Sequence, residues 1–263
     1  MTTIAVIGAT GTVGSRVVSR LKDRAVGVVQ IALTYGVDVI TGNGLSEALR
    51  GVDVVIDVSN PMPTDDYSEI SDTLTTAARN VVDACTSHGI QRLVVLTNAG
   101  IEQAVFDEVP YYAAKRAAKD IVLNSQVPAT IVKSTQLHEF ATNPTAVICS
   151  DREVVVQDWL IQPIAADTIA DVLVEAALAQ TRTPRTVTGP DVIRLPQLTS
   201  KLLALQGDHR RVRAAEPALP ALAVGALLAP GDAVVLGPDV DTWLQTLAVS
   251  RPSSSQSPEY APV

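Results

Sequence analysis

The residues with most chemistry to offer are Tyr111 and Lys115, in the run Tyr111-Tyr112-Ala113-Ala114-Lys115. On a helix this spacing puts a phenol and an ammonium one turn apart on the same face. A phenol titrates near ~10 and is a poor acid or base at neutral pH, whereas a neighbouring cation favours its phenolate. The pair therefore reads as a proton relay to a reacting oxygen, Tyr111 as acid/base and Lys115 lowering its pKa. Thr97, where the apolar run 92–97 ends, supplies a hydroxyl that would orient a substrate carbonyl. Taken alone, an aromatic and a lysine on an Ala-rich helix merely pack and solvate, and Tyr112 competes with Tyr111 for the role. What tips the balance lies at the start of the chain.

There a β-branched run over residues 3–7 meets Gly8-Ala9-Thr10-Gly11-Thr12-Val13-Gly14 and passes straight into a helical pattern. Glycines at G-x-x-G-x-x-G spacing between a strand and a helix bring a pyrophosphate against a helix N-terminus. Gly8 permits the tight turn, Gly11 lets backbone approach phosphate, and Gly14 lets the helix pack on the sheet. The loop predicts a dinucleotide, and the Tyr/Lys pair then works beside a nicotinamide. NAD or NADP is left open. An acidic residue after the second strand would take a ribose 2′-hydroxyl and an Arg a 2′-phosphate, and Ala32-Leu33-Thr34-Tyr35 offers neither. Arg16 is the nearest cation for a 2′-phosphate, although a solvated helix face is its simpler reading.

These groups need a scaffold that gathers them at one edge. Val13, Val17, Val18 and Leu21 recur at helical spacing, with Arg16, Arg20 and Lys22 on the solvent side. A second strand is expected over 26–31 and another apolar stretch over 37–40, with five residues between them. That is too short for a crossover between parallel neighbours, so a third strand there is either a stub or displaced. One or two helical turns at 45–49, a buried strand at 52–58, a long helix at 67–88, a strand at 92–97, a helix at 111–125 and a strand at 127–133 continue the alternation. Strand alternating with helix predicts an α/β fold, a Rossmann-type doubly wound parallel sheet covered on both faces. Beyond residue 134 the pattern loosens into a loop or short helix at 134–144, a strand at 153–157, helices at 165–179 and 195–205, and a strand and turn at 187–190. The expectation is a single NAD(P)-binding domain over 1–250, its small C-terminal, substrate-side lobe starting at about 134, and a disordered Ser/Pro-rich tail at 251–263.

With 263 residues, 47% of them hydrophobic, the chain can bury a sizeable core, and its net charge of -8 gives a polyanion no support, so no nucleic-acid partner is expected. Cys85 and Cys149 have neither metal spacing nor a disulfide framework and read as buried, reduced thiols, which suits the cytoplasm. No cluster of His, Cys or carboxylates has ligand spacing, so no metal is expected. The first residues read as a strand rather than a leader, and no apolar run reaches the roughly 18 residues of a spanning helix. The closest, 219–229, is bracketed by Pro217, Pro220 and Pro230 and reads as core or interfacial, not membrane.

Gly8 to Gly14, Val52-Asp53-Val54-Val55-Ile56-Asp57, Leu96-Thr97 and Tyr111 to Lys115, in this order, resemble an atypical short-chain dehydrogenase/reductase of the NmrA-like, NAD(P)-binding group. Asp57-Val58-Ser59-Asn60, Ser134 to Phe140 and Ile161-Gln162-Pro163-Ile164-Ala165 resemble blocks of its bacterial members. The resemblance covers residues 1 to about 200 and departs twice: the usual serine is Thr97, and the Arg common after the second strand gives way to Leu33 and Tyr35. It implies Thr10, Thr12 and Val13 beside the pyrophosphate, Val58, Ser59 and Asn60 near the adenosine side or ribose, and Lys115 on the nicotinamide ribose. It also implies that the loop 134–140, with Gln136 and His138, lines the substrate cleft; His138 reads equally well as a capping or packed histidine. His88 and His209 read as surface residues.

The implied function is an NAD(P)-dependent oxidoreductase passing hydride between nicotinamide and a small carbonyl or quinone-like substrate. The alternative is a dinucleotide-sensing regulator without turnover, which suits the short C-terminal part and the threonine at position 97. A nucleotide-sugar epimerase or dehydratase would want more chain after the Rossmann part. The long helices leave homo-oligomerisation open.

Overall fold

The protein is described by a computed structural model over residues 1–63, 69–178 and 185–249. It opens with β1 (Thr3–Ile7), α1 (Thr12–Lys22) and β2 (Gly27–Ile31), then α2 (Leu45–Ala48) and β3 (Val54–Asp57). α3 (Ile70–Ser87), β4 (Arg92–Asn98), α4 (Pro110–Leu123) and β5 (Ala129–Ser134) complete the regular part. Then come β6 (Val147–Cys149), β7 (Glu153–Gln157), β8 (Leu160–Ile161), α5 (Ala166–Leu178) and β9 (Arg185–Thr188). The last elements are β10 (Ile193–Arg194), α6 (Leu195–Leu205), β11 (Arg211–Ala215), β12 (Val234–Val235) and α7 (Val240–Val249).

Seven strands form one parallel sheet in the order β12-β9-β5-β4-β3-β1-β2. The aliphatic runs of β1, β3 and β4 make this possible, because a parallel strand covered by helices on both faces has no solvent side to keep polar. Ile4, Val6, Ile56 and Val94 pack with Val17, Leu21, Ile169 and Leu173 of α1 and α5. On the other face Ala5, Val55 and Leu93 meet Val81 and Cys85 of α3 and Val122 of α4. The strand order reverses between β1 and β3, and the carboxyl edge at such a reversal leaves a crevice in which ligands of this fold bind. A third cluster, built by Phe106, Trp159, Leu198 and Trp243, joins β7, α6 and α7.

No strand forms at residues 37–40, and β2 is the sheet edge. Side chains hold this segment instead: the N–H of Ile40 donates to Asp38 Oδ1 (2.8 Å), and Asn80 Nδ2 donates to the carbonyls of Val39 (3.0 Å) and Ile40 (2.8 Å). The stub or displaced third strand expected here is thus absent, because the connection is too short for a parallel crossover and side chains satisfy its carbonyls. Cys85 is buried as expected, but Cys149 is exposed because it ends β6, the edge strand of a separate sheet ordered β11-β7-β6. The start of the helix expected from residue 67, and the tail from 251, lie outside the described residues. Among the described residues no helix is long and apolar enough to cross a membrane, and no group of His, Cys, Asp and Glu could hold a metal.

Asn80 replaces the ladder that a third strand would have given the two carbonyls. Asn80→Ala should therefore cost roughly 1–3 kcal/mol, the desolvation of groups left unpaired. Urea unfolding followed by circular dichroism checks it: the midpoint should fall with its slope unchanged.

Candidate active site

The crevice is framed by backbone before any side chain enters it. The carbonyl of Ile31, at the end of β2, accepts the N–H groups of Gly8 (2.9 Å) and Ala9 (3.1 Å), which pins the turn after β1. Gly8 has φ +80°, and a Cβ there would lie 3.0 Å from the backbone of Ser59. A Cβ on Gly14 would lie 2.0 Å from the Gly8 carbonyl oxygen, so α1 crosses the turn at a distance only glycine allows. The first amides of a helix have no partner within it, and here Gly11 is an N-cap without a side-chain bond and the first turn carries no acidic residue. Thr10, Gly11 and Thr12 are exposed beside that end. An open amide terminus with an exposed glycine lip fits a pyrophosphate in charge and in space.

Asp57 closes β3, and its Oδ1 accepts the N–H of Ser59 (2.9 Å), which folds Val58-Ser59-Asn60 back across the edge. Asn60 Oδ1 then accepts from both the Tyr111 hydroxyl (3.2 Å) and Lys115 Nζ (3.4 Å). Pro110 at the first turn of α4 presets that helix, and both side chains issue from its first half. Burial raises the Tyr111 phenol above its ordinary value, opposed by hydrogen bonds with Asn60 and Asn98. Burial lowers Lys115, opposed by the charge of Asp57. Tyr112 packs instead on Phe106, ring centroids 4.3 Å apart, and presents an edge to Tyr111.

Thr97 and Asn98 divide the work that the sequence gives to Thr97 alone. Successive strand side chains face opposite ways. Thr97 is 5% exposed, its hydroxyl has no partner among the described residues, and it lines a recess between α3 and α4. The residue that reaches the phenol is Asn98. Sequence reading had one signal for it, its place as the last residue before Ala99-Gly100, but no way to fix the parity of the strand end.

The other named residues spread wider. Arg16 bonds Asp167 (2.8 Å) and Glu139 (3.1 Å) and so ties α1 to the start of α5 rather than standing free beside a ribose. Leu33 and Tyr35 are exposed on a 3-10 turn after β2, and the Tyr35 hydroxyl donates to Gln30 (3.4 Å). Gln136 is 8% exposed, its side-chain oxygen has no partner among the described residues, and its carbonyl accepts the N–H of Ile164 (2.9 Å). His138 is fully buried, its ring 4.8 Å from that of Trp243 in α7.

A family model described as NAD(P)H-binding matches residues 8–180. No curated protein matches the sequence. Solved structures do match in fold. A short-chain dehydrogenase/reductase superfamily protein from Agrobacterium tumefaciens with bound NAD is 14% identical, with a TM-score of 0.68 over 94% of this chain and 96% of that one. A dTDP-4-dehydrorhamnose reductase from Bacillus anthracis in complex with NADP is 14% identical, TM-score 0.72, covering 96% and 100%. An NADPH-dependent quinone oxidoreductase from Escherichia coli is 13% identical, TM-score 0.67, covering 93% and 99%.

The buried imidazole of His138 makes stability depend on pH. Burial pushes it down to about 4, against the charges of Asp191 and Asp239 and the carbonyl of Pro163. Since the unfolded chain takes up that proton near ~6.5, this contribution is fully present above that pH and is lost as the pH falls from there towards the folded value, up to roughly 3 kcal/mol. Urea melts between those limits should show the slope in wild type, and His138→Phe, which keeps a ring against Trp243, should flatten it.

Proposed function

Because the chain belongs to the NAD(P)H-binding family, we propose that it is an NAD(P)-dependent oxidoreductase that reduces a small carbonyl or quinone-like compound. The observation that carries the reading is the single oxygen of Asn60, which gathers the Tyr111 phenol and the Lys115 ammonium at the carboxyl edge of the parallel sheet, where the strand order reverses.

Each residue then has a part. The amides of Thr12, Val13 and Gly14, with the exposed lip of Thr10 and Gly11, hold the pyrophosphate, while Gly8 and Gly14 let that lip form. Val58, Ser59 and Asn60 border the ribose, and Lys115 reaches its hydroxyls. The reduced dinucleotide, when bound, supplies a hydride. Tyr111, kept protonated by burial, gives its proton to the substrate oxygen as the adjacent carbon gains the hydride, and the Lys115 cation steadies the phenolate left behind. The Asn98 amide offers an N–H to the same oxygen, the role that Thr97 was expected to fill. Gln136 borders the substrate side. The working compartment is the cytoplasm, in keeping with two cysteines and no disulfide framework.

One observation favours a second reading, a dinucleotide sensor without turnover: the Thr97 hydroxyl turns into the protein instead of towards the phenol. Oxidation of NADH and NADPH in the presence of carbonyl and quinone acceptors separates the two. Tyr111→Phe should lower kcat by about 10²–10⁴-fold while leaving the cofactor-induced rise in melting temperature intact. Equal rates for the variant and wild type would remove Tyr111 from the mechanism. A melting shift with no hydride transfer to any acceptor would favour the sensor.

The cofactor itself is testable without a substrate. With no carboxylate or guanidinium in residues 32–36 and Arg16 held by Asp167 and Glu139, NADH and NADPH should bind within about tenfold of each other, a gap of roughly 1.4 kcal/mol. Calorimetric titration with both cofactors measures it.

A further inference from the structure

Beside Lys115, α3 and α4 part to leave a narrow recess of about 40 Å³ against the ends of β3 and β4, where the loop of Ser59 and Pro61 also borders it. Lys115, Asp57 and Thr97 all line it. The Thr97 hydroxyl is buried there without a partner among the described residues, while Lys115, with three donors, makes one hydrogen bond among them, the long one to Asn60. A buried water needs about 10–15 Å³ and two to four polar partners, and the recess supplies both. Leu74, Ala77 and Val95 make its apolar walls, and Ser59 and Lys119 add a hydroxyl and an ammonium, yet none of them makes a hydrogen bond to the threonine hydroxyl among the described residues.

We propose that the recess is a water site joining Thr97, Asp57 and Lys115, and that Asp57 is a positioning residue whose carboxylate keeps the Lys115 ammonium charged inside the protein. This deepens the oxidoreductase reading, because only a protonated Lys115 steadies a Tyr111 phenolate. The charges around Lys115 are consistent with it. Asp57 lines the recess with it from β3, its own carboxyl pKa raised by burial and held down by the Ser59 hydrogen bonds and the Lys115 charge. Tyr111 and Lys119 lie one turn to either side on α4, and Cys85 of α3 feels the charge of Asp57. Lys119, itself a cation, is held by Glu102 (2.9 Å) and Asp120 (3.5 Å), and Glu102 also pairs with Lys133, so Glu102 is already engaged by two other cations and does not balance Lys115. Burial and Asp57 together push the Cys85 thiol up to about 12, so it is neutral and adds no charge. Asp57 is left as the counter-ion.

The test reads the lysine itself and needs no substrate. In protein labelled with ¹³C at the lysine side chains, the Lys115 resonance, assigned by its loss in Lys115→Arg, is titrated in wild type, Asp57→Asn and Thr97→Val. Asn at position 57 keeps an oxygen for the Ser59 N–H, so the loop survives while the charge goes. The Lys115 pKa should fall by one unit or more in Asp57→Asn, a tenfold or greater loss of proton affinity, and by less in Thr97→Val; Asp57→Glu should restore it. Coupling between two sites is reciprocal, so if Asp57→Asn does not fold, the Asp57 carboxyl in Lys115→Gln should titrate higher than in wild type. An unchanged Lys115 pKa in folded Asp57→Asn, or an unchanged Asp57 in Lys115→Gln, overturns the proposal. Inactivity of the wild type towards every acceptor would sink the oxidoreductase reading and leave these titrations as informative as before.

Discussion

The carboxyl edge of the sheet depends on one crossing. Helix α1 leaves β1 so tightly that Gly14 lies against the Gly8 carbonyl, closer than any side chain permits, while Ile31 holds the amides of Gly8 and Ala9. The crossing aims the unpaired amides of α1 out over the edge and puts Gly8 in backbone contact with Ser59. One fixed turn therefore sets two things at once, the anion site and the path of the loop after β3. That loop carries Asn60, so a contact between glycines far away in sequence helps to set the acceptor that the phenol and the ammonium share.

Much of this was legible in the chain, and what was legible shares a physical character. The glycine spacing, the aliphatic strands and the helical stripes are local patterns, each imposed by the geometry of a single element, and the elements formed within a few residues of where the patterns place them. At residues 37–40 the chain length warned against a parallel crossover, but the stub or displaced strand expected there does not form, and that Asp38 and Asn80 would hold the segment could not be read, since Asn80 lies on a helix distant in sequence. The exposure of Cys149 was hidden for a similar reason, because the same apolar letters serve an inner and an edge strand.

The sharper gap concerns Thr97 and Asn98. Both end the same strand, and a one-residue choice of parity decides which of them touches the phenol and which faces α3 and α4. A sequence with period two shows that neighbours alternate but not which helix layer either one meets; only the packing of Leu93 and Val95 against α3 and α4 fixes it. His138 poses the same difficulty in another form. Its neighbours in sequence mix apolar Leu137 and Phe140 with polar Gln136 and Glu139, and the ring that covers it belongs to Trp243, more than a hundred residues away.

Tyr111 and Lys115 are both withdrawn from water, and withdrawal acts on them in one direction, towards the neutral form of each. Their partners make the difference. The phenol has only the neutral amides of Asn60 and Asn98, which oppose its burial without overcoming it, so it keeps its proton. The ammonium has Asp57, a carboxylate whose charge favours the cation and whose own pKa burial raises while the Ser59 hydrogen bonds and Lys115 hold it down. A phenol that holds its proton stands beside a lysine that a carboxylate supports as a cation. Burial and partner choice, more than the mere adjacency of the two residues, thus set the protonation of the pair.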